Sequence, residues 1–286
     1  MNILVTGANS KIAITVIQRL SKHHNIIAIS RKDIGLYKSY KNVTFVEHDL
    51  SNQYKCNYNL DYIIHLASHV PYNKNKNDTF QESFIDNVLI TKNILDLSVD
   101  KKIKKIIYAS SIDVYGKLNK PVIKEEYNTE PLNYYGLSKI AGEDLINVYF
   151  NNYNLNYTIF RIPYVLSYYM EEGRFIKLLL NDIKKNKDIM LYNKDNILNI
   201  IHTHEISLAF EKALTGANGV FNLSKNTTLQ DFTNIAKEVL NSKSKINFIS
   251  STNKNTSILS SNKLISYFGK NIFISLENRI IKTMEQ

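Results

Sequence analysis

The chain has 286 residues, of which 44% are hydrophobic and 22% are charged, a composition typical of soluble globular proteins. Its one cysteine, Cys56, excludes an internal disulfide, and no run reaches the roughly 18 apolar residues that a membrane span requires. The net charge of +10 comes from scattered lysines without a dense basic run, which argues against nucleic acid and membrane partners. The opening MNILVTG leaves no room for a signal peptide, so we expect a cytoplasmic protein.

Apolar runs alternate with helical patterns through the first half of the chain. In chain order, the predicted elements are a strand at Ile3–Thr6, a helix at Lys11–Lys22, strands at Ile26–Ser30, Val43–Val46 and Tyr62–Leu66, a helix at Phe84–Leu97, a strand at Ile103–Ala109, a helix at Tyr135–Asn151 and a strand at Thr158–Ile162. This alternation predicts an α/β fold, a doubly wound parallel sheet with helices on both faces.

After about residue 165 the pattern becomes mixed, which indicates a smaller C-terminal α+β lobe. We assign residues 1–165 to the first domain, with about 196–215 returning to it, and 166–286 to the second lobe. The polar stretch Asn241–Asn255 is either a mobile loop or an ordered surface connection.

The first strand runs into a turn of small residues and then into a helix. Backbone N–H groups and the helix dipole at such a junction suit a pyrophosphate, as in dinucleotide-binding proteins. Gly7 stands where the first glycine of the motif belongs, whereas Ser10 and Ala13 replace the second and the third. The residues that we expect to bind the cofactor here are Gly7, Asn9, Ser10, Lys11 and Ile12.

The second strand ends at Ser30 and Arg31, where NAD enzymes usually carry a carboxylate for the ribose hydroxyls. An arginine at this position suits the 2′-phosphate of NADP, so we favour NADP and keep NAD as possible. Asp49 and Leu50 follow the third strand and are placed to meet the adenine, although Asp49 is nearly as well suited to capping a turn.

Tyr135 and Lys139 open a predicted helix and lie one turn apart on one face. A tyrosine with a pKa near 10 is only about 1 part in 1,000 ionised at pH 7, so it needs a nearby cation to act as a base. Ser111 follows the fifth strand, and its hydroxyl is placed to bind a substrate oxygen. This pattern predicts Ser111, Tyr135 and Lys139 as catalytic residues.

At these motifs the chain resembles the extended short-chain dehydrogenase/reductase family, the sugar-nucleotide epimerase/dehydratase group with a Rossmann-type fold. The matching segments are TGANSKIA from Thr6, HLAS at His65–Ser68, DNVLITKNIL with the buried Asn87, SSIDVYG, YGLSK, FRIPYV at Phe160–Val165, NIIHTHEIS at Asn199–Ser207 and GVFNLS at Gly219–Ser224, the last as a substrate-lobe strand. The resemblance implies hydride transfer, commonly at sugar C4, with Tyr135 as acid or base. It adds Leu66, Ala67, Ser68, Asn87 and Pro163 to the cofactor site, while His65 is expected to be a packing residue.

Two departures from the family bear on the substrate. Tyr164 replaces an asparagine that epimerases usually carry, and Leu198 replaces the arginine that grips the nucleotide diphosphate. We expect another cation to take over that role, with Arg174 and Arg279 as candidates and a lysine as the alternative. The full set of expected substrate-binding residues is His69, Asp113, Tyr164, Arg174 and Arg279.

Several functions fit this pattern. We favour an NADPH-dependent 4-keto-sugar-nucleotide reductase because of Ser30 and Arg31, with an NAD-dependent 4-epimerase as the alternative. A 4,6-dehydratase is less suited, because Ile112 follows Ser111 and only the shorter Asp113 remains as an acid. A non-catalytic dinucleotide sensor is disfavoured by the presence of both Tyr135 and Lys139. We assign no metal site, and the family implies a homodimer through the two long helices.

Overall fold

The computed structural model describes residues 1–71, 79–252 and 254–285. The strands are β1 (Asn2–Thr6), β2 (Asn25–Ser30), β3 (Val43–Glu47), β4 (Tyr62–His65), β5 (Lys105–Ser111), β6 (Val122–Ile123), β7 (Tyr157–Ile162), β8 (Tyr164–Leu166), β9 (Ile189–Tyr192), β10 (Ile197–His202), β11 (Gly219–Asn222), β12 (Lys225–Thr228), β13 (Ile246–Ile249) and β14 (Ile258–Leu259). The α-helices are α1 (Lys11–Leu20), α2 (Asn87–Asp100), α3 (Tyr134–Tyr153), α4 (Phe175–Lys184), α5 (Thr203–Ala213), α6 (Leu229–Val239), α7 (Asn262–Phe268) and α8 (Leu276–Met284). A π-helical segment, Phe80–Asp86, leads into α2.

Within these ranges the main sheet has seven strands in the order β11-β7-β5-β4-β1-β2-β3, and every pairing is parallel. The predicted doubly wound parallel sheet is therefore confirmed. The strand order reverses between β1 and β4, and ligands of such sheets bind in the crevice at the carboxyl ends beside this reversal.

Alternate residues of the strands pack on opposite faces of the sheet. In β1, Ile3 and Val5 join the core under α1 and α5, whereas Leu4 joins the core under α2 and α3. Both faces are covered, which explains why these strands are apolar at consecutive positions.

The C-terminal elements form a separate core. It lies between α4, α6 and α8 and two small sheets, β12-β10-β8 and β13-β9. The polar stretch Asn241–Asn255 contains β13, so it is not simply a mobile loop; its residue 253 lies outside the described residues. The division at residue 165 remains a prediction. In the part of the chain that the structure describes, we find no helix with the length and apolar character needed to cross a bilayer.

The assignment of Gly219–Ser224 to the substrate lobe is wrong. β11 lies at the edge of the main sheet and pairs in parallel with β7. The reason lies in its side chains, because Phe221 enters the core on one face of the sheet and Val220 packs against the core on the other. A strand that is apolar on both sides needs helices on both sides, and the main sheet provides them.

Arg279 is also misassigned, because it anchors α8 and does not face the crevice. It is 1% exposed, and its guanidinium donates to both carboxylate oxygens of Glu205, with Nη2 2.7 Å from Oε1. Glu205 also accepts the backbone N–H groups of His202 and Ile274, so this carboxylate is fully engaged. A guanidinium held in this way has no surface left for a substrate phosphate.

Removal of this arginine should strongly destabilise the protein. We expect Arg279→Met to lower the free energy of unfolding by about 3–5 kcal/mol, because it leaves a buried carboxylate without its partner. Urea unfolding of the variant would measure the loss. Lys282→Met, at an exposed position of the same helix, is the control, and an equal, small effect of the two substitutions would contradict the buried pair.

Candidate active site

The predicted catalytic residues Ser111, Tyr135 and Lys139 converge at the carboxyl end of β5 and the first turns of α3. The Tyr135 hydroxyl shares a hydrogen bond with Ser111, and Lys139 Nζ lies 5.6 Å from the centre of the Tyr135 ring. A Cβ atom on Gly136 would lie 2.6 Å from the carbonyl oxygen of Asp113. Glycine at this position therefore lets α3 begin directly against the turn that carries Ser111.

Lys139 is almost completely buried, at 3% exposure. Its Nζ donates to the carbonyl oxygen of Ala109 at 2.9 Å and lies 4.9 Å from the centre of the Tyr108 ring. Burial lowers the pKa of Lys139 to about 7, and the nearby Glu143 carboxylate opposes that shift. The protonation of Lys139 near neutral pH therefore depends on the charges around it.

Glu143, one turn beyond Lys139 on α3, is itself fixed in a buried ion pair. Arg161 of β7 donates to it through Nε and Nη2, the latter 2.7 Å from Oε2, and Ser110 donates to Oε1 at 2.5 Å. The guanidinium of Arg161 also lies over the Tyr115 ring. This network locks α3 onto β5 and β7 and fixes a negative charge beneath Lys139.

Tyr135 is a neutral phenol in the free protein. Burial raises the pKa of its hydroxyl and the Asp113 carboxylate raises it further, whereas the hydrogen bond with Ser111 and the charge of Arg174 lower it. The phenol therefore keeps its proton in the free protein. To take one, it needs additional positive charge.

The Ser111 hydroxyl is shared with Asp113. Ser111 Oγ donates to Asp113 Oδ2 at 3.2 Å and accepts the backbone N–H of Asp113 at the same distance. The Ser111 hydroxyl therefore points its hydrogen at the Asp113 carboxylate. Rotation about the Cβ–Oγ bond would let the same hydroxyl donate to a ligand instead.

His65 is a packing residue, as expected. Thr6 Oγ1 accepts the backbone N–H groups of Leu66 and Ala67 at 3.0 Å, so its own proton goes to His65 Nδ1 at 2.8 Å. His65 Nε2 then donates to Thr91 at 3.2 Å. Burial lowers the pKa of His65 to about 3, so the ring is neutral, and the chain of hydrogen bonds fixes the backbone at the end of β4.

Asn87 holds the loop after β4 through its side-chain amide, and the cofactor contact expected for it remains a prediction. Its Oδ1 accepts the N–H of His69 at 2.6 Å, and its Nδ2 donates to the carbonyl oxygens of His69 and Ser83 at 3.0 Å and to Ser138 at 3.2 Å. Asn87 thus ties the loop after β4 to α3 at the helical turn of Lys139.

The turn after β1 fits a dinucleotide pyrophosphate. Gly7 has a φ of +66°, and a Cβ there would lie 2.9 Å from the backbone of Ala67, so another residue would force the turn away from β4. Ser10, which replaces the second glycine of the motif, caps α1 by accepting the N–H of Ala13. The first N–H groups of the helix, on Lys11 and Ile12, have no partner within the helix, and N–H groups at a helix N-terminus suit a phosphate.

Asn9 adds an acceptor to this turn. Its Nδ2 donates to the carbonyl oxygen of Lys32 at 2.8 Å, which joins the turn to the end of β2. Among the residues that the structure describes, no donor reaches the buried Oδ1 of Asn9. An unpaired buried acceptor at this point is a further sign that a ligand completes the turn.

The end of β2 is more acidic than the sequence indicated. In the sheet register Glu47 lies opposite Ser30, and its carboxylate accepts the N–H of Asp33 at 2.9 Å. The pKa of the Asp49 carboxyl is lowered, mainly by the hydrogen bond that the Ser51 N–H donates to it. The charge of Arg31 lowers the pKa of Asp49 further. Asp49 is thus a turn cap.

The other expected cofactor residues line the same edge of the sheet. Leu50 and Leu66 are buried, and Ser68 donates to the carbonyl oxygen of His69. Pro163 follows Ile162, which pairs with Ser111, so it lies beside the catalytic strand end.

Four of the expected substrate residues, His69, Asp113, Tyr164 and Arg174, are only partly buried. Tyr164 donates to the sulfur of Met170, and His69 Nε2 lies 3.7 Å from Glu82. Arg174 donates to Glu171 Oε2 at 3.3 Å, and its charge opposes the rise that burial causes in the pKa of Tyr135.

Sequence reasoning missed Glu171, Glu143 and Glu47. Glu143 carried a usable signal, because it follows Lys139 by four residues and therefore shares its helix face. Glu47 and Glu171 carried none, since their positions depend on strand register and on contacts between the two lobes.

Comparisons with known proteins agree with this geometry. The sequence profile of the "NAD dependent epimerase/dehydratase family" matches residues 3–224. A putative UDP-glucose 4-epimerase of Methanocaldococcus jannaschii is 26% identical over 82% of this chain and 81% of its own. An ADP-L-glycero-D-manno-heptose-6-epimerase of Brachyspira hyodysenteriae is 28% identical over 82% of this chain and 79% of its own.

Among solved structures, the UDP-glucuronic acid 4-epimerase of Bacillus cereus in complex with NAD superimposes with a TM-score of 0.84 over 99% of this chain and 96% of its own. At 20% identity this likeness shows the fold. The match of the family profile covers well over half of the chain and includes the nucleotide turn, Ser111, Tyr135 and Lys139. The chain belongs to the NAD-dependent epimerase/dehydratase family of sugar-nucleotide enzymes.

Proposed function

We propose that this protein is an NAD-dependent sugar-nucleotide 4-epimerase that acts on a UDP-sugar. The observation that carries the proposal is the cluster of Ser111, Tyr135 and Lys139 at a parallel strand end, beside the nucleotide turn. Two relatives that match over 82% of this chain and the structural neighbour from Bacillus cereus are named as epimerases, which favours this function over the 4-keto reductase that the sequence indicated. A non-catalytic sensor receives no support from them.

The chain's own residues supply the proton chemistry. NAD, when bound, supplies a hydride acceptor and a positive ring that favours a phenolate nearby. Tyr135 Oη takes the proton of the sugar hydroxyl and later returns it, and Ser111 holds the same oxygen by rotating away from Asp113. Lys139 stabilises the phenolate, while Ala109 and Glu143 keep its ammonium in place.

We propose NAD as the cofactor, in place of the NADP that Arg31 suggested. Two carboxylates, Glu47 and Asp49, stand beside the end of β2, and Asp49 is close enough to Arg31 to share its charge. Negative charge at this point disfavours the 2′-phosphate of NADP. The Bacillus cereus structure contains NAD.

For the substrate, we propose that Arg174 binds the diphosphate in place of the arginine missing at Leu198. Tyr164, His69 and Asp113 would then surround the sugar. Asp113 places a carboxylate next to Ser111 and so disfavours sugars that carry their own carboxylate near C4.

The proposal predicts epimerisation without net consumption of cofactor. Purified protein with added NAD should convert UDP-glucose or UDP-N-acetylglucosamine to its C4 epimer, and NADP should support a lower rate. Chromatography of the sugar nucleotides measures the product. Tyr135→Phe should reduce the rate about 10²- to 10⁴-fold because it removes the proton-transfer group.

Tyr134→Phe is the matched control, since it alters the adjacent, exposed tyrosine and should leave the rate nearly unchanged. Equal rates for wild type and Tyr135→Phe would contradict the proposed acid–base role. Stoichiometric oxidation of NADPH on a 4-keto sugar nucleotide would favour the reductase.

The burial of Lys139 predicts a pH-dependent stability. The unfolded chain keeps this proton up to a pKa of 10.5, whereas the folded protein loses it near pH 7. The unfolded state therefore binds more protons between these values, so stability rises with pH in this window. Relative to Lys139→Met, the wild type should gain up to about 1.4 kcal/mol per pH unit from pH 7 to pH 9.5 in urea unfolding.

The raised pKa of Tyr135 affects stability only above about pH 10, outside that window. Lys22→Met, at an exposed position, provides the control and should track the wild type at every pH. Parallel curves for wild type and Lys139→Met would show that Lys139 stays fully protonated in the folded protein.

We also propose a homodimer formed through α2 and α3. Large apolar side chains are exposed on these helices, among them Leu89, Val148 and Tyr153. Sedimentation at micromolar concentration should give twice the 33.0 kDa mass of the chain. Val148→Glu should shift the protein towards monomer, and a monomeric wild type would contradict the proposal. The cytoplasmic location expected from the sequence remains a prediction.

A further inference from the structure

One carboxylate oxygen joins the nucleotide turn to the C-terminal lobe. Glu171 Oε2 lies 3.2 Å from Lys11 Nζ and 3.3 Å from Arg174 Nε. Lys11 is the first residue of α1, and Glu171 lies in the segment between β8 and α4. The bridge therefore joins the first turn of α1 to the segment that precedes α4.

The three charged side chains of the bridge are partly shielded from solvent, which strengthens the interactions between them. The Lys11 side chain is 19% exposed, and those of Glu171 and Arg174 are each 32% exposed. Burial lowers the pKa of Lys11, and the charge of Glu171 opposes this shift while that of Arg174 adds to it. The two cations thus compete for one anion at short range.

The two ends of the bridge face different ligands. The α1 end carries the N–H groups suited to the cofactor pyrophosphate. Arg174 lies in the segment that joins β8, which begins at Tyr164, to α4, and its charge acts on both Tyr164 and Tyr135. A substrate phosphate at Arg174 would replace Glu171 as the partner of the guanidinium.

We propose that Glu171 is a positioning residue that couples the binding of the dinucleotide to that of the substrate diphosphate. This inference rests on the proposed function. When a diphosphate occupies Arg174, the ion pair between Arg174 and Glu171 weakens, and the ion pair between Glu171 and Lys11 holds the segment against the nucleotide turn. A bound cofactor is then retained more tightly while the substrate is present, as an epimerase that reuses one cofactor molecule requires.

The coupling can be measured by calorimetric titration of NADH into the whole protein, with and without saturating UDP. UDP should tighten NADH binding about two- to fivefold, the range expected for a partly exposed ion pair. By linkage, NADH should tighten UDP binding by the same factor. In Glu171→Gln this factor should fall to one.

Three further variants distinguish a loss of coupling from a general loss of structure. Lys11→Gln should also remove the coupling, and the double variant should lose no more than either single variant. Glu172→Gln makes the same change of charge at the next position, where the carboxylate is 76% exposed and faces Lys177, and it should keep the coupling.

The outcomes distinguish this inference from the function on which it rests. If the wild type binds both NADH and UDP but independently, or if Glu171→Gln couples them as the wild type does, the role of Glu171 is overturned and the proposed function stands. If the wild type binds neither NADH nor UDP, the proposed function fails and the inference fails with it.

Discussion

The ammonium of Lys139 lies almost out of reach of water, and the surrounding structure compensates for that burial. Its hydrogen bond to Ala109, the ring of Tyr108 and the charge of Glu143 together offset part of the lost solvation, and burial still lowers the pKa of the ammonium. Glu143 in turn depends on Arg161, which reaches it from β7. The position of α3 on the sheet is thus set by a buried chain of charges that runs from Arg161 to Lys139.

The rest of the site is assembled at the same edge of the sheet. Carboxyl ends of neighbouring parallel strands bring Gly7, Leu66, Ser111 and Pro163 together, although they are far apart in sequence. Hydrogen bonds of Thr6 through His65 fix the end of β4 without any titratable charge near pH 7. The site therefore combines a neutral hydrogen-bonded strand end with a catalytic pair whose pKa values depend on nearby charges.

Local patterns predicted the sheet, the nucleotide turn and the catalytic cluster, because each depends on short spacing along the chain. The Tyr135 and Lys139 pair needs only a helix, and Ser111 needs only a strand end. Arg279 could not be placed in this way, since its partner Glu205 lies 74 positions away. β11 was misassigned for a similar reason, because its place depends on which sheet can cover both of its faces.

The most direct test of the account follows one hydrogen through the reaction. UDP-glucose carrying deuterium at C4 should yield a C4 epimer that keeps the label at C4, with none released to water, as measured by mass spectrometry of the isolated product. This result would show that Tyr135 handles only the hydroxyl proton and that the carbon-bound hydrogen never meets solvent. Loss of the label from the product would contradict the proposed epimerase.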